Sequence, residues 1–198
     1  METAVIPYYS AAELDELARA GNVFHAPHST LISRSVRLGT GNVFYPNVVL
    51  TCAEGSTFVV GDDNVFFPNF FGEAACDGAS IAIADATEIG PGLVVLRANV
   101  PGSFLRIGSH CRLVGHVELF GRTTVGDGAQ VLGSTTTLIN VTLSGGQDHR
   151  HADHDARGAV AKGAQIIKDL LVPTGMSALP PEGADGTTRL VSQRTIHS

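Results

Sequence analysis

Apolar residues recur along this chain at every sixth position. Stepping by six from Ile83 gives Ile89, Val95, Pro101, Ile107, Leu113, Leu119, Val125, Val131, Thr137 and Leu143. Four places after most of these stands a small or β-branched residue: Thr87, Cys111, Val117, Thr123, Ala129, Thr135 and Val141. An aliphatic residue followed by glycine returns every eighteen residues, at Ile89-Gly90, Ile107-Gly108 and Val125-Gly126. A period of six fits neither the helical turn of about 3.6 residues nor a simple hairpin, because turns must recur as often as strands. It predicts a parallel β-helix in which each hexad is one short strand plus one turn and three hexads close a coil. Ile89, Ile107 and Val125 are then expected to lie in line inside a three-sided prism, about 4.8 Å apart. Glycine follows them where a Cβ would clash.

A second repeat precedes the first. Gly-Asn-Val-Phe occurs at 21–24 and 41–44, and Asn64-Val65-Phe66 is a third copy; the segments 38–47 and 60–69 echo each other at an offset of twenty-two. That is one coil plus four residues, which Cys52-Ala53-Glu54-Gly55-Ser56 can hold as a bulging turn. From Val60 to Ile89 the offset is twenty-nine, so residues 72–82 are expected to leave the solenoid as a loop. Phe44, Phe66 and Phe67 with Tyr45, at equivalent coil positions, are expected to form a packing ladder or a subunit contact. Asn42, Asn47 and Asn64 are expected at corners, in left-handed backbone conformations.

At the start, Ser10-Ala11-Ala12-Glu13 is a capping box, and Leu14, Leu17 and Ala18 share one helical face up to Gly21; this helix is expected to cap the open end of the solenoid. After Leu143 the sixfold count fails. Ser144-Gly145-Gly146 reads as the end of the prism, residues 147–155 as a histidine-rich loop, 156–172 as a helix or a final strand pair, and 173–186 as an extended tail. The expected organisation is a cap over 1–27, a prism over 28–146 and an irregular C-terminal region over 147–198.

The strings Ile107-Gly108-Ser109-His110-Cys111-Arg112 and Val125-Gly126-Asp127-Gly128-Ala129-Gln130 resemble the hexapeptide-repeat transferases, the left-handed β-helix superfamily. The resemblance covers residues 83–143 well and 30–71 more loosely. It implies a left-handed coil and homotrimers with active sites in the cleft between prisms. There an outward histidine acts as general base on an amine or hydroxyl that attacks an acyl thioester of coenzyme A or a carrier protein. Such a fold hosts many activities, so the chemistry has to be argued from residues.

Composition agrees with a narrow prism: 198 residues with 23 glycines, no tryptophan and 6 % aromatics. A formal charge of −6 argues against nucleic acid or an anionic membrane as the main partner. No apolar run approaches the ~20 residues of a membrane span, which makes the cytoplasm the expected location. Cys52, Cys76 and Cys111 are odd in number and lack a disulfide spacing, so reduced thiols are expected, with Cys111 a small core residue.

Eight histidines are the chemical raw material. His110 and His116 stand three residues after Ile107 and Leu113 and are expected to project outward from neighbouring faces. His116, in Val114-Gly115-His116-Val117-Glu118, is the preferred general base, with Glu118 or Asp127 as orienting carboxylate and His110 as the other candidate. The run His149-Arg150-His151-Ala152-Asp153-His154-Asp155 offers imidazoles and carboxylates to a zinc-like ion. Gly115-His116 and Arg97 are also similar to the gamma-class carbonic anhydrases, but Phe120-Gly121 and Ser80-Ile81 stand where that branch places its other histidines. Three readings therefore stay open: an acyltransferase on a small acceptor such as a sugar or amino acid, a metal-dependent lyase or hydrolase using His149, His151 or His154, and a non-catalytic binding prism.

Overall fold

Along the short strands, alternate side chains are buried: Phe58 and Val60 in Thr57–Val60, Leu105 and Ile107 in Phe104–Ile107, Thr123 and Val125 in Arg122–Val125. Alternation puts these on one side of each pleat, and parallel pairing from coil to coil stacks them into a shared interior. The computed structural model describes residues 7–182 and 186–196. The coils form a parallel β-helix, consistent with the left-handed form that the sequence resemblance implies.

The prism has three faces. The first runs from Val23–Phe24 through Val43–Phe44, Val65–Phe66 and Glu88–Ile89 to the start of the strand Arg112–Phe120. The second runs from Leu31–Ile32 through Val49–Cys52, Phe71–Ala74 and Val94–Ala98 to the end of that same strand. The third stacks Val36–Leu38, Thr57–Val60, Ser80–Ile83, Phe104–Ile107, Arg122–Val125, Thr142–Leu143 and Leu171–Val172. Two long strands, Arg112–Phe120 and Gln130–Ile139, run around the corner from the first face to the second.

One expectation about the stacking fails. Ile107 pairs with Val125 and with Ile83, whereas Ile89 pairs with Phe66 and Leu113, so Ile89 lies on a different face from Ile107. On the third face the coils from Ile107 through Val125 to Leu143 take eighteen residues, whereas the coil from Ile83 to Ile107 takes 24. Six surplus residues keep a count of six in phase while advancing it by one face, which is why the apolar metre runs on unbroken. Five of them lie between Arg97 and Phe104, where the next coil passes from Phe120 to Arg122. The sixth lies between Ile89 and Val94, beside the cis Gly90–Pro91 peptide. Pro101 consequently sits in an exposed turn rather than in the core.

The same corner is enlarged in successive early coils, by the turns 53–56, 75–79 and 99–103, which bond to one another through Gly78 N to Gly55 O and Gly102 N to Asp77 O, 2.9 and 3.4 Å. The first of these is the expected bulging turn. Residues 72–82, in contrast, do not leave the solenoid: they hold the end of Phe71–Ala74 and most of Ser80–Ile83.

Nor does the prism end at Gly146. Residues 144–159 form an excursion, after which Val160–Lys162, Gln165–Lys168 and Leu171–Val172 build a further coil on the three faces. Met176–Leu179 adds a strand to the first face, and Arg189–Ser192 pairs antiparallel with it before a short helix, Gln193–Ile196. The first coil likewise begins at Val23, inside the expected cap. Part of that cap, residues 1–6, and residues 183–185 of the expected tail lie outside the described residues.

At the other end the helix Ala11–Arg19 is capped as expected. Ser10 N donates to Glu13 Oε2 at 2.8 Å, Glu13 N donates to Ser10 Oγ at 3.4 Å, and Leu14 is buried against the core. Inside, Phe24, Phe44 and Phe66 stack with ring centroids 4.9 Å apart. Asn42 and Asn64 depart from expectation: they are buried, not left-handed, and form a ladder with Asn22 and Thr87. Each side-chain oxygen accepts the next coil's backbone N–H, from Asn42 N to Asn22 at 3.1 Å, Asn64 N to Asn42 at 3.0 Å and Thr87 N to Asn64 at 2.9 Å. Buried amides survive there because their polar atoms find partners. Asn47, with φ of 63°, is the expected left-handed corner.

Candidate functional site

The corner between the first and second faces is built from glycine. Gly92, Gly115, Gly133 and Gly163 succeed one another there, and Gly92, Gly115 and Gly163 have φ of 119°, 100° and 94°. A Cβ on Gly92 would meet the carbonyl of Gly115, one on Gly115 the carbonyl of Gly133, and one on Gly133 the Gly163 oxygen at 2.7 Å. Coils therefore meet backbone to backbone at this corner, and the residue after Gly115 is turned outward. That residue is His116.

At the same point the pairing of the two long strands slips by one residue, so that Gly115 stands opposite Gly133 but Val117 opposite Thr136. Beyond the slip, Val117 and Leu119 are buried, which turns Glu118 between them to the outer surface. His116 Nε2 lies 3.4 Å from Glu118 Oε1, and Thr137 Oγ1 donates to Glu118 Oε2 at 3.5 Å. The pair is half-exposed, with side chains 39 % and 33 % accessible. A carboxylate accepting the Nε2 proton leaves Nδ1 as the basic nitrogen of a neutral imidazole. The arrangement can take a proton from a group brought up to the corner.

His110 sits at the preceding corner, in a left-handed conformation with φ of 56°, and its backbone N–H donates to Asp85 O. It lines a cleft of about 60 Å³ with Glu88, Arg112, Asp148, His149 and Arg150, in which Arg112 pairs with Glu88 at 3.1 Å. Burial first, and then the guanidinium groups of Arg112 and Arg150, push the His149 imidazole below the ordinary histidine range. Asp127 does not orient His116: its Oδ1 accepts the N–H of Ser109 at 2.8 Å, at the corner before the first face.

The metal expectation meets no support. His151 Nδ1 accepts the N–H of Asp153 at 3.2 Å, while His149 lies in the cleft with Arg112. Among the described residues no three His, Cys, Asp or Glu side chains gather in a way that could hold a metal ion. Contiguity on a loop did not become convergence in space. Cys111 is a core residue as expected; desolvation pushes its thiol up to about 12. No described helix is long and apolar enough to cross a membrane.

No protein-family model matches the chain, and no curated protein matches it. Solved structures align with the chain at low identity and with TM-scores below 0.5. AntD, an N-acyltransferase from Bacillus cereus in complex with dTDP and 3-hydroxybutyryl-CoA, is 10 % identical over 98 % of this chain and 94 % of its own, with a TM-score of 0.45. LpxA from Acinetobacter baumannii is 16 % identical over 86 % of this chain and 72 % of its own, with a TM-score of 0.41. PerB from Caulobacter crescentus, in complex with CoA and GDP-perosamine, is 16 % identical over 90 % of this chain and 64 % of its own, with a TM-score of 0.21.

Two features of the corner escaped the sequence reading. The glycine ladder has spacings of 23, 18 and 30 residues, so only Gly115 and Gly133 keep the eighteen-residue metre. The slip between Gly115 and Val117 leaves no trace in composition at all.

Proposed function

We propose that the protein is an acyltransferase of the hexapeptide-repeat type, moving an acyl group from a coenzyme A or carrier-protein thioester to an amine or hydroxyl of a small acceptor such as a sugar or amino acid. The observation that carries the reading is the His116 Nε2 to Glu118 Oε1 contact of 3.4 Å at a corner where the pairing of the two long strands slips by one residue. In this reading Glu118 holds the imidazole in the tautomer whose Nδ1 is free. The acceptor's lone pair attacks the thioester carbonyl carbon while its proton passes to Nδ1. The tetrahedral intermediate collapses with the C–S electron pair departing on sulfur, and the imidazolium returns the proton to that thiolate. Thr137, bonded to the other carboxylate oxygen, steadies Glu118.

The corner is open on its outer side, and a second copy of the chain supplies the opposite wall in the homotrimer that the sequence resemblance implies. His110, one corner away beside Glu88 and Arg112, is given no part in the transfer.

Release of free thiol from acetyl-coenzyme A in the presence of amino-sugar acceptors tests the proposal. The wild-type chain is expected to turn over, His116→Ala to lose about 10²- to 10⁴-fold in kcat/KM with an unchanged melting temperature, and Glu118→Gln to lose less. Undiminished turnover by His116→Ala removes this histidine from the mechanism.

A further inference from the structure

The excursion 144–159 and a C-terminal strap, the short helix Gln193–Ile196, close over the first face near its end. Gln130, Leu132, Val160, Lys162 and Ser177 belong to the face, His149 and Arg157 to the excursion, and Gln193 and Ile196 to the strap; together they enclose a cavity of about 160 Å³. The strap is fastened on both sides. Gln193 Nε2 donates to Gly158 O at 2.8 Å, and Arg194 pairs with Asp153 and Asp155 of the excursion at 3.1 and 2.6 Å.

The lining is one-signed. Its ionisable groups are His149, Arg157 and Lys162, and no carboxylate is among them. Arg157 spends its Nε on the carbonyl of His151 at 2.7 Å, and neither it nor Lys162 has an ion pair among the described residues. Gln130 is 7 % exposed as a whole, and its side-chain amide, which makes no hydrogen bond among the described residues, faces the open space of the cavity. An amide that opens onto the cavity, with neither a partner nor a carboxylate beside it, is a donor available to something that enters there. The space suits a group of a few heavy atoms, since one water occupies about 30 Å³ in the liquid.

We propose that this cavity is a binding site for a small oxyanion of phosphate type, with the Gln130 amide as hydrogen-bond donor and Lys162 and Arg157 as the neutralising charges. The anion is either free phosphate or the phosphoryl end of a larger ligand, and the site is separate from the His116 corner. Cationic side chains and an N–H donor converging in a partly desolvated pocket are what such recognition requires.

Titration of the full chain with inorganic phosphate, followed by calorimetry and by the melting temperature, tests the site. Saturable binding is expected, with no comparable effect of sodium chloride at the same ionic strength. Lys162→Gln, a change at an exposed position, and Gln130→Leu, whose fold is checked by circular dichroism, should each weaken it about tenfold or more, the worth of one hydrogen bond to a charged group. His116→Ala should bind phosphate like the wild type, which separates this site from the proposed transfer. Tighter binding of a phosphomonoester than of phosphate identifies the phosphoryl end of a larger ligand as the occupant; equal or weaker binding identifies free phosphate. Absence of saturation, an equal response to chloride, or unchanged affinity in both variants overturns the site.

Discussion

Single residues divide between those that hold the prism and those free to act. Cys111 belongs to the first group: it is 1 % exposed, and desolvation first, then the charge of Asp127, raises its thiol to about 12. At pH 8 its thiolate fraction is on the order of 10⁻⁴. Cys76, half-buried with its Sγ 2.9 Å from the carbonyl of Asn99, is the most accessible thiol. A maleimide titration of the native protein is therefore expected to label Cys76 and to spare Cys52 and Cys111 until denaturant is added. Rapid native labelling of Cys111 contradicts its place in the core. His116 and Glu118 belong to the second group, turned outward by the buried Val117 between them. That His116 projects outward was legible from its place after Leu113. That Glu118 rather than Asp127 stands beside it was not, because both are a few residues from a ladder position and only the fold shows that Asp127 lies at another corner, bonded to Ser109.

Among elements, the corners carry more information than the strands. Strand residues obey a sixfold apolar rule that tolerates many substitutions, whereas Gly115 has a φ of 100° and its α-carbon faces the carbonyl of Gly133. Gly115→Ala is expected to cost about 2 kcal/mol or more, through the left-handed conformation and the collision together, and to displace His116 in addition. Urea denaturation measures the first effect and thiol release the second; an alanine variant as stable and as active as the wild type contradicts the backbone-to-backbone corner. The strands were legible because burial alternates along them. Of the enlarged turns, 75–79 reads in the sequence as part of a loop leaving the solenoid, and 99–103 is hidden because it lengthens its coil without interrupting the apolar metre. The second of these explains why Ile89 was placed in line with Ile107: a surplus of six is invisible to a period of six. The strands Val160–Lys162 and Gln165–Lys168 were legible only as one of two alternatives, a final strand pair or a helix, since a long excursion separates them from the metre they rejoin.

For the whole molecule, the prism is a sum of coils that each depend on their neighbours. The helix Ala11–Arg19 covers one end, and the antiparallel pair Met176–Leu179 and Arg189–Ser192 supports the strap near the other. The fold thereby leaves the His116 corner open and sets the His149 cavity beside the strap. We propose that acyl transfer takes place at the open corner, against a second copy of the chain. A crystal structure of the protein with a non-hydrolysable acyl-coenzyme A analogue tests it most directly. The account predicts the analogue in a cleft between two chains, with its acyl carbonyl at the His116–Glu118 pair. An acyl group seated elsewhere on the prism, with His116 facing solvent alone, would contradict it.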